Sequence, residues 1–124
     1  MGYELRVQRE SPLAYAELAE LTASADAGLE LRGAPEAAEI VARHGDAEHT
    51  VAKWEGRLFG VPTSDWHVAQ LARLAALAGG DLTGEDGEAY HLRDGIVEQV
   101  NGDASYEFGK LDEILADGPA QWAA

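Results

Sequence analysis

Turn-forming residues divide this chain into short extended segments, and that division constrains its fold more than any other feature. Turns are predicted at Gly33-Ala34-Pro35, His44-Gly45-Asp46, Glu55-Gly56, Arg93-Asp94-Gly95 and Asn101-Gly102. Glycine and the Asx residues favour turns because they tolerate positive φ. Short segments between such turns are typical of strands joined in antiparallel hairpins.

Alternating apolar and polar residues predict the strands. Tyr3, Leu5 and Val7 share one face of a half-buried strand over residues 2–9. Residues 37–43 fit a strand, but residues 35–42 also fit the start of a helix, so both interpretations of this segment stay open. Further strands are predicted at residues 29–32, 37–43, 50–55, 57–61, 89–92, 96–100 and 106–108, and a turn is predicted at residues 81–84.

Three segments have helical spacing. The first follows Ser11-Pro12, an N-cap with proline at the first helical position. The second and most strongly periodic follows Pro62, with Thr63 or Ser64 as its N-cap, and ends at a glycine pair. The third is a short amphipathic helix over residues 111–115.

The length and the order of elements predict one domain over residues 1–124. Helices separated from mostly antiparallel strands indicate the α+β class. We expect a two-layer sandwich in which two main helices pack on the sheet.

Composition excludes several classes of protein. The chain has no cysteine, which excludes a disulfide scaffold, a thiolate zinc site and a cysteine nucleophile. No apolar run approaches the roughly 18 residues of a membrane span, and no signal peptide is recognisable. A cytoplasmic, bacterial protein is therefore expected.

Acidic residues dominate the charge, and they are concentrated toward the C-terminus. Twenty-three acids against nine bases give a net charge of −14. The last 44 residues hold eleven acids and two bases, a net charge of −9, while the first 80 carry −5. Such a charge repels nucleic acid and anionic membranes and attracts basic proteins. Simple solubility is the alternative explanation.

No pattern typical of catalysis or metal binding is present. The four histidines form no metal-ligating pair, and a zinc site needs three or four converging ligands. The acidic run over residues 81–88 departs from a calcium-binding loop, because Thr83 and Leu92 occupy two of its ligand positions. No nucleophile elbow, phosphate loop or dinucleotide fingerprint occurs. We therefore expect that the protein is not an enzyme and that it uses neither a cofactor nor a metal ion.

Two stretches resemble a group of small acidic bacterial proteins. The first is the opening Met1-Gly2-Tyr3-Glu4-Leu5. The second is the helix and acidic hairpin over residues 71–90, which contains Gly84-Glu85-Asp86-Gly87-Glu88-Ala89-Tyr90. A Trp54-Glu55-Gly56 turn lies between them. The group is similar in size and charge to immunity proteins of polymorphic toxin systems, which act in interbacterial competition. The resemblance covers about a third of the chain and ends at Tyr90. It implies an immunity protein that neutralises a cognate toxin by binding it.

The resulting hypothesis is a toxin inhibitor that occludes a basic domain, such as a nuclease. Carboxylates would pair with the cations that the toxin uses for phosphate, and aromatic residues would add affinity. No oligomeric state is predicted. The predicted contacts are Glu85, Asp86, Glu88, Tyr90, Asp94, Glu98, Asp103 and Glu107.

Two alternatives stay open. One is an acidic interaction module, or a nucleic-acid mimic, without a toxin partner. The other is a small-molecule-binding domain with a pocket lined by Trp54, Phe59 and Trp66. Of these aromatic residues, Trp54 is expected in the core, and Trp66 is expected to be half exposed.

Overall fold

Nine strands and three helices make up the part of the chain that this computed structural model describes, residues 4–23 and 28–120. The elements in chain order are β1 (Leu5–Gln8), α1 (Tyr15–Ala23), β2 (Leu29–Ala34), β3 (Ala37–His44), β4 (Ala47–Trp54), β5 (Leu58–Gly60), α2 (Asp65–Ala78), β6 (Asp81–Gly84), β7 (Ala89–Arg93), β8 (Ile96–Asn101), β9 (Ala104–Lys110) and α3 (Leu111–Asp117).

All nine strands belong to one sheet in the order β2-β3-β4-β5-β1-β6-β7-β8-β9, and each neighbouring pair is antiparallel. β1 lies at the centre. On one side of it is the first meander, β2–β5, which follows α1 in the chain. On the other side is the second meander, β6–β9, which follows α2. The α+β prediction is confirmed, but the fold is dominated by its sheet, with three described helices instead of two main ones.

Local signals in the sequence explain the bounds of α2. Ser64 is the N-cap, and its hydroxyl accepts the His67 backbone N–H at 3.0 Å. Asp65 lies in the first turn, where a carboxylate interacts favourably with the helix dipole. Gly79 ends the helix with a left-handed φ of 73°, a conformation that glycine adopts without steric cost.

The helices cover one face of the sheet and leave the other open. On the covered face, α2 approaches the sheet so closely that a Cβ at Gly60 would lie 3.0 Å from the Leu71 side chain. Leu5, Leu58 and Leu82 are fully buried beneath it. Since side chains alternate along a strand, the intervening residues point to the other side, which we call the open face. No described helix lies over that face.

The structure corrects one strand prediction and decides between two interpretations of another segment. Residues 81–84, predicted to be a turn, form β6, because β1 offers its second edge and Leu82 pairs with Val7 in the core. For residues 37–44 the strand interpretation is confirmed over the helical one. Ile40 pairs with Leu31 on one side and Ala52 on the other, so sheet pairing overrides the local helix signal.

One aromatic prediction is confirmed and another is wrong. Trp54 is buried, and its indole Nε1 donates to the Pro35 carbonyl at 3.0 Å. Trp66, expected to be half exposed, is only 2% exposed. Its ring packs at steep angles against those of His44 and His49, whose strands the sequence did not place near α2. The predictions at residues 2 and 3 lie outside the described residues.

Candidate protein-binding surface

The predicted contact residues all belong to the second meander and its turns, but they occupy different sides of it. Alternate turns of a meander lie at the same end of the sheet. The β6–β7 turn with Glu85 and Asp86 therefore shares an end with the β8–β9 turn and its Asp103. The β7–β8 turn, which holds Asp94, lies at the opposite end.

Two of the predicted contacts are buried. Glu88 is only 4% exposed and Tyr90 only 9%. Tyr90 pairs with Leu82 on the covered face. Burial, with the charges of Glu88 and Asp86, raises the pKa of Tyr90 to about 12, so this phenol stays protonated at neutral pH. Both side chains offer little surface to a partner.

Glu98 and Glu107 lie side by side on the open face. They are direct cross-strand partners in β8 and β9, and His91 is the partner of Glu98 on the other side. Arg93 lies beside them, and its Nε is 3.9 Å from Glu98 Oε1, at the limit of an ion pair. Like charges directly opposite one another destabilise a sheet by about 0.2–1 kcal/mol.

Glu85 also has a role within the fold. Its Oε1 accepts the backbone N–H of Glu4 at 3.1 Å, just before β1 begins. The Glu4 carboxylate in turn binds Arg57 at 2.9 Å and Arg6 at 2.7 Å, and these two guanidinium groups hold the pKa of Glu4 below its usual value. A change at Glu85 therefore alters the start of the central strand as well as the surface charge.

Five predicted contacts thus border one corner of the molecule, where the open face meets the end with the β6–β7 and β8–β9 turns. We call this surface the acidic corner; it comprises Glu85, Asp86, Glu98, Asp103 and Glu107. Glu88 and Tyr90 are buried and do not belong to it, and Asp94 lies at the far end.

The structure adds one exposed aromatic residue that the predicted contacts omitted. Tyr106 in β9 has 61% of its surface exposed, the largest fraction among the exposed large hydrophobic residues described. Its ring meets Phe108 edge-on, with the ring centres 5.0 Å apart. The sequence predicts a strand over residues 106–108, but the alternation of its side chains does not show which of the two aromatic rings is exposed.

The cavities give no support to the pocket proposed for a small molecule. A cavity of about 470 Å³ beside β1 is lined by Trp54 together with Arg9, Arg57 and Asp81. Phe59 lines a separate groove of about 240 Å³. Trp66 lines neither.

In residues 4–23 and 28–120, no group of three or more histidine, aspartate or glutamate side chains is placed to hold a metal ion. In the same ranges, no helix is long and apolar enough to cross a membrane.

No protein-family model, curated protein or solved structure matches the chain.

Proposed function

We propose that this protein is an immunity-type inhibitor that binds a basic toxin domain through its acidic corner. The observation that carries the proposal is the Glu98–Glu107 pair, two carboxylates kept opposite each other on an exposed sheet face. Such a pair opposes folding, and a role in binding gives a reason for its presence.

The charge of the second meander supports the same proposal. Residues 81–110 hold eight acids and two bases, a net charge of −6. A negative field of this kind speeds the approach of a cationic protein and orients it before contact. A nuclease domain uses lysine and arginine to hold phosphate, so a carboxylate surface seated on those residues would exclude its substrate. The inhibitor would then neutralise the toxin by blocking its substrate-binding surface, without catalysing a reaction.

Co-expression tests the proposal directly. The C-terminal domain of the protein encoded by the gene immediately upstream should kill cells when expressed alone. Co-expression with this protein should restore growth, and the two proteins should co-purify. A toxic domain that still kills in the presence of this protein would refute the proposal.

Charge reversal tests the surface. We expect Asp103→Lys to lower the association rate about three- to tenfold at low salt, with the difference shrinking at about 0.5 M salt. Glu36→Lys is the matched control, because Glu36 is an exposed acid in a two-residue turn of the first meander. Stopped-flow association kinetics measure both variants. Equal slowing by the two would show that only net charge matters, and no slowing by Asp103→Lys would place the contact elsewhere.

A further inference from the structure

β9 ends the sheet on the side of the acidic corner. It pairs with β8, and no other described strand lies beyond it. The side chains over Ala104–Glu107 are all exposed. An edge strand of seven residues presents unpaired N–H and C=O groups that another strand can bind.

The hydrogen-bond pattern shows which backbone groups face outward. The two-residue turn at Gly102 and Asp103 makes Asn101 and Ala104 a hydrogen-bonded pair. Pairs alternate in an antiparallel ladder, so Tyr106 bonds inward to β8, while Ser105 and Glu107 direct their N–H and C=O groups to the open edge.

At the other end of the strand, the alternation is displaced by the register shift between β8 and β9. Leu111 donates its N–H to the Gly95 carbonyl at 2.8 Å, across the pair formed by Ile96 and Lys110. In antiparallel geometry such a bond flanks a pair that is not itself hydrogen-bonded. Lys110 therefore also directs its backbone groups outward.

Charge around this edge selects the kind of strand that fits. Asp103, Glu107, Asp112 and Glu113 lie along it or just beyond its end, against the one base Lys110. A second copy of the chain would bring the same acids and a net charge of −14 against them. An extended segment rich in lysine and arginine is complementary.

Tyr106 provides an apolar contact beside the backbone groups. Its ring rests edge-on against Phe108, and the Phe108 ring lies 6.3 Å from that of buried Tyr90. This row of rings connects an exposed tyrosine to the core and fixes its position. Tyrosine held in this way is a common anchor of protein interfaces.

We propose that a lysine- and arginine-rich extended segment of the partner adds to β9 as a tenth strand, with Tyr106 as its aromatic anchor. The inference rests on the proposed function, because the partner is the toxin domain. It goes further in assigning the contact to main-chain hydrogen bonds along Ser105 and Glu107.

Proline substitution tests the open edge, using the toxin domain of the co-expression experiment. Ser105→Pro removes an outward N–H without breaking a bond to β8, and proline is tolerated at such edge positions. We expect it to weaken binding about tenfold or more. Ser105→Ala keeps the N–H and should bind like the wild type. Calorimetry measures both, and circular dichroism confirms folding.

Hydrogen exchange on the unmodified protein gives a second measurement that needs no variant. The amides of Ser105 and Glu107 should exchange quickly in the free protein and slowly in the complex. If the wild type and Ser105→Pro bind the toxin domain with equal affinity and β9 gains no protection, this inference is overturned and the proposed function is not. Failure of the wild type to bind or rescue would overturn the proposed function, and this inference with it. A dimer of the free protein with β9 protected would assign the edge to a second copy instead.

Discussion

The two meanders on either side of β1 each have four strands, but they differ in charge and in packing. The first, residues 29–60, holds six acids and four bases, a net charge of −2, whereas the second, residues 81–110, carries −6. In the first, Arg32 and Arg43 both bind the Glu48 carboxylate and hold its pKa below the usual value. In the second, Glu98 faces Glu107, and the contact of Arg93 with Glu98 is at the limit of an ion pair. The first meander balances its surface charge and the second accumulates it.

The packing of the two meanders differs in the same way. β3 has four buried residues out of eight, β8 has one out of six and β9 has none. The second helix packs against both halves, but the outer hairpin of the second meander extends beyond it. One half of the sheet therefore contributes more of the stability, and the other presents more accessible surface. The predictions that follow test this division.

The largest effect is expected from the same truncation made in each half. Val51 is 1% exposed in the first meander and Val97 is fully buried in the second. We expect Val51→Ala to lower the free energy of unfolding by about 2–3 kcal/mol. Val97→Ala should cost less, because β9 is an edge strand that can move toward the space left behind. Urea titration of both variants measures the difference, and equal losses would contradict the proposed division of stability.

A smaller effect is expected from pH, acting on the first meander. His67 Nε2 donates to the Val51 carbonyl at 2.7 Å, and burial lowers the pKa of His67 despite that bond. The unfolded chain therefore binds a proton on His67 before the folded protein does. Stability should fall as the pH drops below about 6.5 toward the lower folded pKa, and this cost should be absent above about 6.5.

The control for this prediction is His67→Gln, which removes the titrating ring and keeps a side-chain donor. Unfolding midpoints at pH 7 and pH 5 should differ more for the wild type than for the variant. If both lose the same stability over this range, the pH dependence arises from the carboxylates or the other histidines.

The smallest effect on stability is expected from neutralising two exposed glutamates in the middle of strands. Glu39 in the first meander has Arg32 and Lys53 as its cross-strand neighbours, whereas Glu107 faces Glu98. Glu39→Gln should lower stability and Glu107→Gln should raise it, each by about 0.2–1 kcal/mol. Thermal unfolding at low salt measures the two signs. Glu107→Gln should also slow association with the toxin domain, while a destabilised Glu107→Gln would remove the main support for the proposed function.

Much of the succession of strands along the chain could be predicted from local signals, because the turns are short and chemically distinct. Asp94 and Gly95 have φ angles of 53° and 77°, as a tight hairpin requires, and their sequence predicted the turn. β6 was missed because residues 81–84 are rich in turn-forming types, and only β1, more than 70 residues earlier in the chain, makes them a strand. No short-range pattern contains that information.

The candidate site was predictable in part for the same reason. Acid density directed attention to the second meander, but charge alone does not distinguish an exposed carboxylate from a buried one. Glu88 and Glu85 differ by three positions, yet Glu88 is buried, and Glu85 binds the backbone at Glu4. The pairing of Glu98 with Glu107 depends on the register of β8 and β9, including a shift after Val97. Sequence spacing does not give that register.

The central position of β1 has a consequence for how the protein is made. Leu5 pairs with Gly60 on one side and with Gly84 on the other, so β1 is synthesised well before both of its partner strands. Such distant pairings are slow to form. The two halves cannot join into one sheet until residue 84 has been synthesised, so a shorter nascent chain cannot form the complete sheet.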